Sequence, residues 1–322
     1  MFNNATNASW TNCTEQSNTV YVTVYTLVFI IGLILNLFAL VIFFCHTKSR
    51  SHTTVYMTNL ALADLILVCA LPIRIYKYLG FEVKQHICEI SGLILLANMY
   101  GSILLLTCIS LDRCLAVCFP LSSRVREGRK KAPLVCLGIW MLTIGASLPM
   151  YLAKKTNNSI KQDNCFGSFP QYAVQTTALI STLTVGFGMP LVIMALSSCG
   201  LVRAISKSTA AQTPDLVNSR RIHRMVSTNM AIFLVCFLPY HILLMMLHFY
   251  RNHIESMPCA MLYAYRYSLM LACLNATLDP LAYYFTTETF RKNVDIDAVW
   301  RMWPLNNLSS DENSRSRAAL NT

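Results

Sequence analysis

Seven stretches of this chain are long and apolar enough to cross a bilayer, and no other feature limits its fold so tightly. Residues 20–45, 90–111, 132–153, 165–202 and 225–250 contain no Asp, Glu, Lys or Arg. Residues 53–73 are interrupted only by Asp64, and residues 267–287 only by Asp279. A hydrocarbon core of about 30 Å takes about 20 apolar residues in a helix. Lipid offers backbone N–H and C=O groups no partner, so each stretch must close its own hydrogen bonds. The expected fold class is all-α, a seven-transmembrane helix bundle. Pro72, Pro149, Pro190, Pro239 and Pro280 fall inside the stretches with Gly186 and Gly188. Neighbouring helices re-satisfy the backbone at such points, so they read as kinks rather than ends. In 322 residues, 13% of them charged and 55% hydrophobic, seven spans leave no room for a separate catalytic domain. No nucleophile, metal cluster or phosphate loop stands at a helix end, and the chain is not expected to be an enzyme.

Charge and glycosylation signals orient the bundle. Residues 1–20 hold no Lys or Arg and carry acceptor sequons at Asn4, Asn7 and Asn12, which reads as an extracellular amino terminus. Alternate loops then carry the positive charge expected of the cytosolic side. Lys48, Arg50, Arg124, Arg126, Arg129, Lys130, Lys131, Arg203, Lys207, Arg220, Arg221 and Arg224 lie inside, against Lys77, Lys84, Lys154, Lys155, Lys161 and Arg251 outside. A fourth outer sequon at Asn157 fits, whereas those at Asn275 and Asn307 fall in a span and in the cytosolic tail. The first twenty residues lack a basic region followed by an apolar one, so the first helix is expected to direct insertion itself. Three regions follow: a glycosylated amino terminus over 1–19, the membrane domain over 20–286, and a cytosolic tail over 287–322. The tail opens with a short amphipathic eighth helix, residues 287–303. The expected location is the plasma membrane, as a multi-pass protein.

Of thirteen cysteines, only Cys13, Cys88, Cys165 and Cys259 lie on the oxidising outer side, and four allow three connectivities. The other nine read as small polarizable hydrophobes. Polar groups at membrane depth are costly and therefore informative. Asp64 sits mid-span, and Asn275 lies one helical turn from Asp279 on the same face. Two carboxylates with Asn36, Ser102 and Asn275 look like a small hydrated cation site, with sodium the one metal expected. A satisfied packing residue is the alternative for either acid.

The order of these elements carries a resemblance. Gly32-Leu33-Ile34-Leu35-Asn36, Asn59-Leu60-Ala61-Leu62-Ala63-Asp64-Leu65, Cys88, Asp112-Arg113-Cys114, Trp140, Pro190, Cys236-Phe237-Leu238-Pro239-Tyr240 and Asp279-Pro280-Leu281-Ala282-Tyr283 follow one another along the spans. Over about residues 20–293 the chain resembles the rhodopsin-like G-protein-coupled receptors. Asn98-Met99-Tyr100-Gly101-Ser102, Asp rather than Asn before Pro280, and Tyr283-Tyr284-Phe285 resemble the purinoceptor-related branch. Leu71-Pro72-Ile73-Arg74-Ile75-Tyr76 and Cys88-Glu89-Ile90-Ser91-Gly92 look most like its lysophosphatidic acid receptors. His241 is more like the lysophosphatidylinositol-type receptor. The nucleotide-receptor pattern of His followed three residues later by a cation fails at Leu244.

The resemblance implies disulfides Cys88–Cys165 and Cys13–Cys259. It implies coupling to a heterotrimeric G protein through Arg113, held by Asp112 in the inactive state, with Leu121 as a hydrophobic anchor. Arrestin and membrane lipids are further expected partners, and nucleic acid is not. Phe237, Pro239, Asp279, Pro280 and Tyr283 fall on the activation motifs. Two departures, Cys114 and Ser198 where many relatives have Tyr, bear on basal activity. No acid occurs in residues 90–111 and no Lys in the seventh span, so the amine anchor and the retinal Schiff base are both missing.

The ligand is expected to be anionic. Arg74 lies ten residues outward of Asp64, about 15 Å along a helix, and Arg266 thirteen outward of Asp279, about 20 Å. With Lys77, Lys84, His248, Arg251 and the loop lysines they make an electropositive mouth, although any one of them also reads as a snorkelling side chain. Tyr100 and His241 complete the expected ligand-binding set. Below them Leu95, Met99, Leu243, Leu244, Met245 and Met246 suit an acyl chain or ordinary packing. An anionic lysophospholipid is therefore expected, most like lysophosphatidic acid, with nucleotide or lysophosphatidylinositol as alternatives. An ion-coupled transporter using Asp64 and Asp279 would favour repeated halves and a polar route across the membrane, and neither is visible.

Overall fold

The computed structural model describes residues 18–46, 51–156, 176–210, 216–253 and 259–286. The first span is α1 (Asn18–Val41), which runs on into a π-helical turn, Ile42–His46. The second is α2 (His52–Tyr78) and the third α3 (Gln85–Cys118). A short helix, α4 (Ser123–Lys130), precedes the fourth span, α5 (Ala132–Thr156). The fifth begins as α6 (Thr176–Ser181), widens to a π-helical segment, Thr182–Gly188, and resumes as α7 (Met189–Ala210). The sixth and seventh are α8 (Leu216–His253) and α9 (Cys259–Thr286). Pro72, Pro239 and Pro280 lie inside continuous helices. The predicted eighth helix and the sequons at Asn4, Asn7, Asn12 and Asn157 lie outside the described residues.

Helix starts follow from short polar side chains. Ser51 Oγ accepts from the Thr54 N–H at 3.2 Å, and Ser122 Oγ from the Val125 N–H at 3.4 Å, each satisfying a donor that the first turn leaves open. After α2 the chain reverses at Gly80, whose φ of +93° suits a residue without Cβ.

Exposure is inverted relative to a protein in water. Ile34, Leu134, Leu137 and Met141 are exposed, whereas Asn36, Asp64, Asn275 and Asp279 are fully enclosed. Apolar side chains turned outward match lipid, and polar groups turned inward find one another. One apolar cluster joins α1, α2 and α9 through Tyr21, Tyr25, Val68, Leu71 and Met270. A larger one centres on Met99, Ile103, Phe187, Phe233, Phe237 and Tyr240. Trp140 Nε1–H donates to Asn59 Oδ1 at 2.9 Å, tying α5 to α2.

Without a hydrophobic drive between helices in lipid, small residues permit close approach. A Cβ on Gly32 would stand 2.8 Å from Val68 Cγ2, and the β-branched valine is stiff. Gly32→Ala should therefore destabilise the α1–α2 contact by about 1–3 kcal/mol. The thermal unfolding midpoint of the purified chain in detergent should fall, and Val68→Ala in the same chain should restore part of it. An unchanged midpoint for Gly32→Ala would contradict this packing.

Candidate functional site

Three polar levels are stacked through the bundle. The outermost is built by α1, α2 and α9. Arg74 is only 4% exposed and hydrogen-bonds the Tyr25 hydroxyl, with Tyr265 and Cys273 close by. It is thus held inside the bundle rather than at an open rim. Arg266 is half-buried near Tyr21, and its Nε has no hydrogen-bond partner. Tyr21 stacks on Tyr78 at 4.7 Å and on Tyr267 at 5.3 Å between ring centroids, a rigid aromatic wall beside both guanidiniums. No Asp or Glu occurs in α1, in α2 after Asp64, or in α9 before Asp279. Lys77, in the last turn of α2, and His248 are half-buried. Arg251 belongs to α8, its side chain outside what is described.

Deeper in, His241 is buried and gives Nδ1 to the Phe237 carbonyl at 2.7 Å, while Nε2 has no partner. Its ring stacks on Phe187 at 4.3 Å and meets Tyr100 edge-on at 6.0 Å. Tyr100 in turn lies over Gly186, where a Cβ would stand 3.0 Å from Cε1. The π-helical widening of the fifth span thus brings a glycine under the Tyr100 ring and Phe187 onto His241. Leu95, Met99 and Leu244 are buried in the packed core of the bundle. Met245 and Met246 are not: each is 48% exposed, on the outside of the bundle.

The middle level brings Asp64, Ser102, Asn275 and Asp279 of the expected cation site together, with Asn36 bonded to the backbone. Asn36 Nδ2 donates to the carbonyls of Gly32 and Ala276 at 2.9 and 2.7 Å. Hydrogen bonding selects the Asn275 amide orientation that donates to Asp279 Oδ2 at 2.6 Å and accepts from Ser102 Oγ at 3.2 Å. Asp64 Oδ1 accepts from Asn98 Nδ2 at 3.1 Å, and Asp64 Oδ2 has no donor. The two carboxyl groups lie within reach of each other. Two acceptors in a dry site need a proton or a cation between them.

At the inner face the Asp112 carboxylate is buried and fully used, though not by Arg113. Arg129 of α4 donates through Nε at 2.7 Å and through Nη2 at 3.1 Å, and Thr53 donates at 2.5 Å. Asp112 thereby bridges α3 to α4 and α2, and its charge also acts on Arg113. Successive helical residues point in different directions, so Asp112 faces the second loop. The hydrogen bonds to Asp112 raise the Arg129 pKa above its usual value. Arg113 is half-buried with an unpartnered Nε. Leu121 is 98% exposed. Cys114 allows α7 to approach, since a Cβ on Gly200 would stand 2.9 Å from its Sγ. Phe237 meets Phe233 edge-on at 5.9 Å, and Pro239 and Pro280 sit within α8 and α9. Cys88 and Cys259 are disulfide-bonded. Cys13, Cys165 and the side chain of Tyr283 lie outside the described residues.

Comparison with known proteins decides the family. The family described as "7 transmembrane receptor (rhodopsin family)" matches residues 35–283. The chain belongs to that family. It is a multi-pass membrane receptor and not an enzyme. It is 36% identical over 292 residues to lysophosphatidic acid receptor 4 of Homo sapiens, covering 87% of this chain and 77% of that one. Lysophosphatidic acid receptor 6 of Homo sapiens is 34% identical over 286 residues, covering 86% and 83%. Cysteinyl leukotriene receptor 1 of Homo sapiens is 32% identical over 287 residues, covering 86% and 84%.

Reading the sequence alone misses Asn98, Thr53 and Arg129. A polar residue at the depth of Asp64 on the facing helix signals the first. Nothing in the second-loop charge run singles out Arg129 among its neighbours. The bidentate bridge makes a testable demand. In a double-mutant cycle on thermal stability, Arg129→Gln and Asp112→Asn should couple by about 1.5–3 kcal/mol, as expected of hydrogen bonds between charged groups. Additive losses would show that the pair contributes nothing.

Proposed function

We propose that this receptor stands in the plasma membrane with its amino terminus outside and binds lysophosphatidic acid or a close anionic lysophospholipid. Binding drives nucleotide exchange on a heterotrimeric G protein through Arg113. The observation that carries the ligand class is the pair Arg74 and Arg266, set in helices otherwise free of acids at that level. Similarity to receptors named for lysophosphatidic acid supports the same reading. A phosphate monoester suits two guanidiniums, because each presents a planar fork of donors to its oxygens. The buried Leu95, Met99 and Leu244 supply an apolar lining for the chain.

Losing one charge-assisted contact costs on the order of 1.5–3 kcal/mol, or roughly tenfold to hundredfold in effective concentration. Each buried methylene contributes about 0.8 kcal/mol. In cells lacking endogenous receptors, potency should therefore rise with acyl length. Arg74→Ala and Arg266→Ala should each weaken every member of the series at unchanged surface expression. A nucleotide response with no lysophospholipid response would overturn the ligand class. So would a response confined to cysteinyl leukotrienes, a comparison the third relative makes necessary. Unchanged potency in both variants would overturn the site alone.

Asp64 and Asp279 fit a sodium ion, with Asn275 and Ser102 as neutral oxygen ligands and Asn36 and Asn98 holding the surrounding backbone and carboxylate. Bound there, sodium supplies the positive charge that two facing carboxylates require. Agonist binding to the wild type should weaken as sodium replaces a large organic cation at constant ionic strength, and Asp64→Asn should abolish that dependence. Equal sodium inhibition of both would contradict the assignment. The disulfides Cys88–Cys165 and Cys13–Cys259 and the four outer glycans belong to the same proposal.

A further inference from the structure

Two tyrosines of α1 share one aromatic support but not one role. Tyr21 and Tyr25 stand one helical turn apart, and both stack on Tyr78 of α2, at 4.7 and 5.9 Å between ring centroids. Both are 1% exposed, and each has a guanidinium near its hydroxyl. The deeper hydroxyl, on Tyr25, is bonded to Arg74. The outer one, on Tyr21, makes no hydrogen bond, although Arg266 and the Tyr267 hydroxyl are close by. Arg266 Nε has no partner either, so two unpaired donors adjoin where α1 meets α9.

An enclosed polar group left unpaired is costly, and flexible side chains turn to avoid that cost. Thr107 and Ser110 of α3 do so by donating to carbonyls one turn back, at 2.7 and 2.9 Å. Tyr21 has no such freedom. Its hydroxyl ends a rigid ring, and that ring is fixed by stacking on Tyr78 and, at 5.3 Å, on Tyr267. The two donors call for an acceptor, and no Asp or Glu occurs in α1, in α2 after Asp64, or in α9 before Asp279.

We propose that the Tyr21 hydroxyl is a specificity-determining contact of the outer ligand site, donating to the third terminal oxygen of a phosphate monoester. The inference rests on the lysophospholipid reading above and sharpens it. A monoester carries three terminal oxygens, and with Arg74 and Arg266 on two of them the hydroxyl serves the third. A phosphodiester has only two, because another oxygen is bound to a second alcohol. It therefore gains nothing from Tyr21. The site thereby favours lysophosphatidic acid over lysophospholipids whose phosphate is esterified again.

The test is Tyr21→Phe, which keeps the ring and deletes the hydroxyl. Thermal unfolding of the purified full chain in detergent is followed against oleoyl lysophosphatidic acid, a monoester, and oleoyl lysophosphatidylglycerol, a diester with the same acyl chain. The wild type should need less monoester than diester to reach half of the maximal rise in midpoint. In Tyr21→Phe the midpoint without lipid should not fall, since the hydroxyl has no partner to lose. The monoester requirement should rise about tenfold, the effect of one hydrogen bond to a charged group, while the diester requirement stays at its wild-type value. Equal shifts for both lipids, or none for either, overturn the role of Tyr21 and leave the ligand class standing. So does a lower midpoint without lipid and an intact monoester preference, which would assign the hydroxyl to packing of the tyrosine wall. Equal requirements for the two lipids in the wild type overturn the preference itself. If neither lipid raises the wild-type midpoint, the lysophospholipid reading falls, and this inference with it.

Discussion

Two carboxyl groups that face each other, fully enclosed at membrane depth, set the terms for this molecule. An ionised group at membrane depth is costly, and a second of the same sign beside it more so. The protein surrounds Asp64 and Asp279 with Asn98, Ser102 and Asn275. Their donors do not reach Asp64 Oδ2. The arrangement is complete only with a proton or a cation, and its stability depends on which one is present. Such a centre favours two discrete states over a continuum, because packed interiors and charge pairs rearrange in steps.

The centre lies on the same helices as the levels above and below it. α2 carries Arg74 outside, Asp64 in the middle and Thr53 inside. α3 carries Tyr100, Asn98 and Ser102 above Asp112 and Arg113, and α9 carries Arg266 above Asn275 and Asp279. An anion drawing Arg74 and Arg266 together would act on α2 and α9, the two helices whose carboxyl groups meet below. At the inner face the bridge from Asp112 to Arg129 and Thr53 joins α3 to the second loop and α2. Arg113 makes no bond in that bridge, yet it lies within reach of the charges of Asp112 and Arg129. A ligand shifts such an equilibrium only by its differential affinity for the two arrangements, and Arg74 and Arg266 lie on the two helices that carry the acids.

Much of this was legible in the sequence because lipid enforces simple rules. Seven apolar stretches, five uncharged and two broken by a single Asp, become seven spans, and those mid-span acids turn inward. Helical spacing puts Asn275 on Asp279. What stayed hidden depends on directions that spacing does not set. Asp112 and Arg113 are neighbours in the chain and point apart, so the carboxylate meets Arg129, one of five basic residues in its loop. Met245 and Met246 share an apolar run with Leu244, yet helical rotation leaves them outside and Leu244 inside. The π-helical turn at Thr182–Gly188 sets Phe187 on His241 and Gly186 under Tyr100, and the glycines alone read only as kinks. The tyrosine wall at the mouth is spread over α1, α2 and α9, with no local signature.

The decisive measurement is guanine nucleotide exchange by a purified heterotrimeric G protein, with the full chain reconstituted in phosphatidylcholine nanodiscs. Adding lysophosphatidic acid should accelerate exchange in wild type, and the same addition to Arg113→Ala, at equal receptor and ligand occupancy, should leave exchange at its basal rate. No acceleration of wild type across G-protein families at saturating lysophospholipid, or equal acceleration by Arg113→Ala, would contradict it.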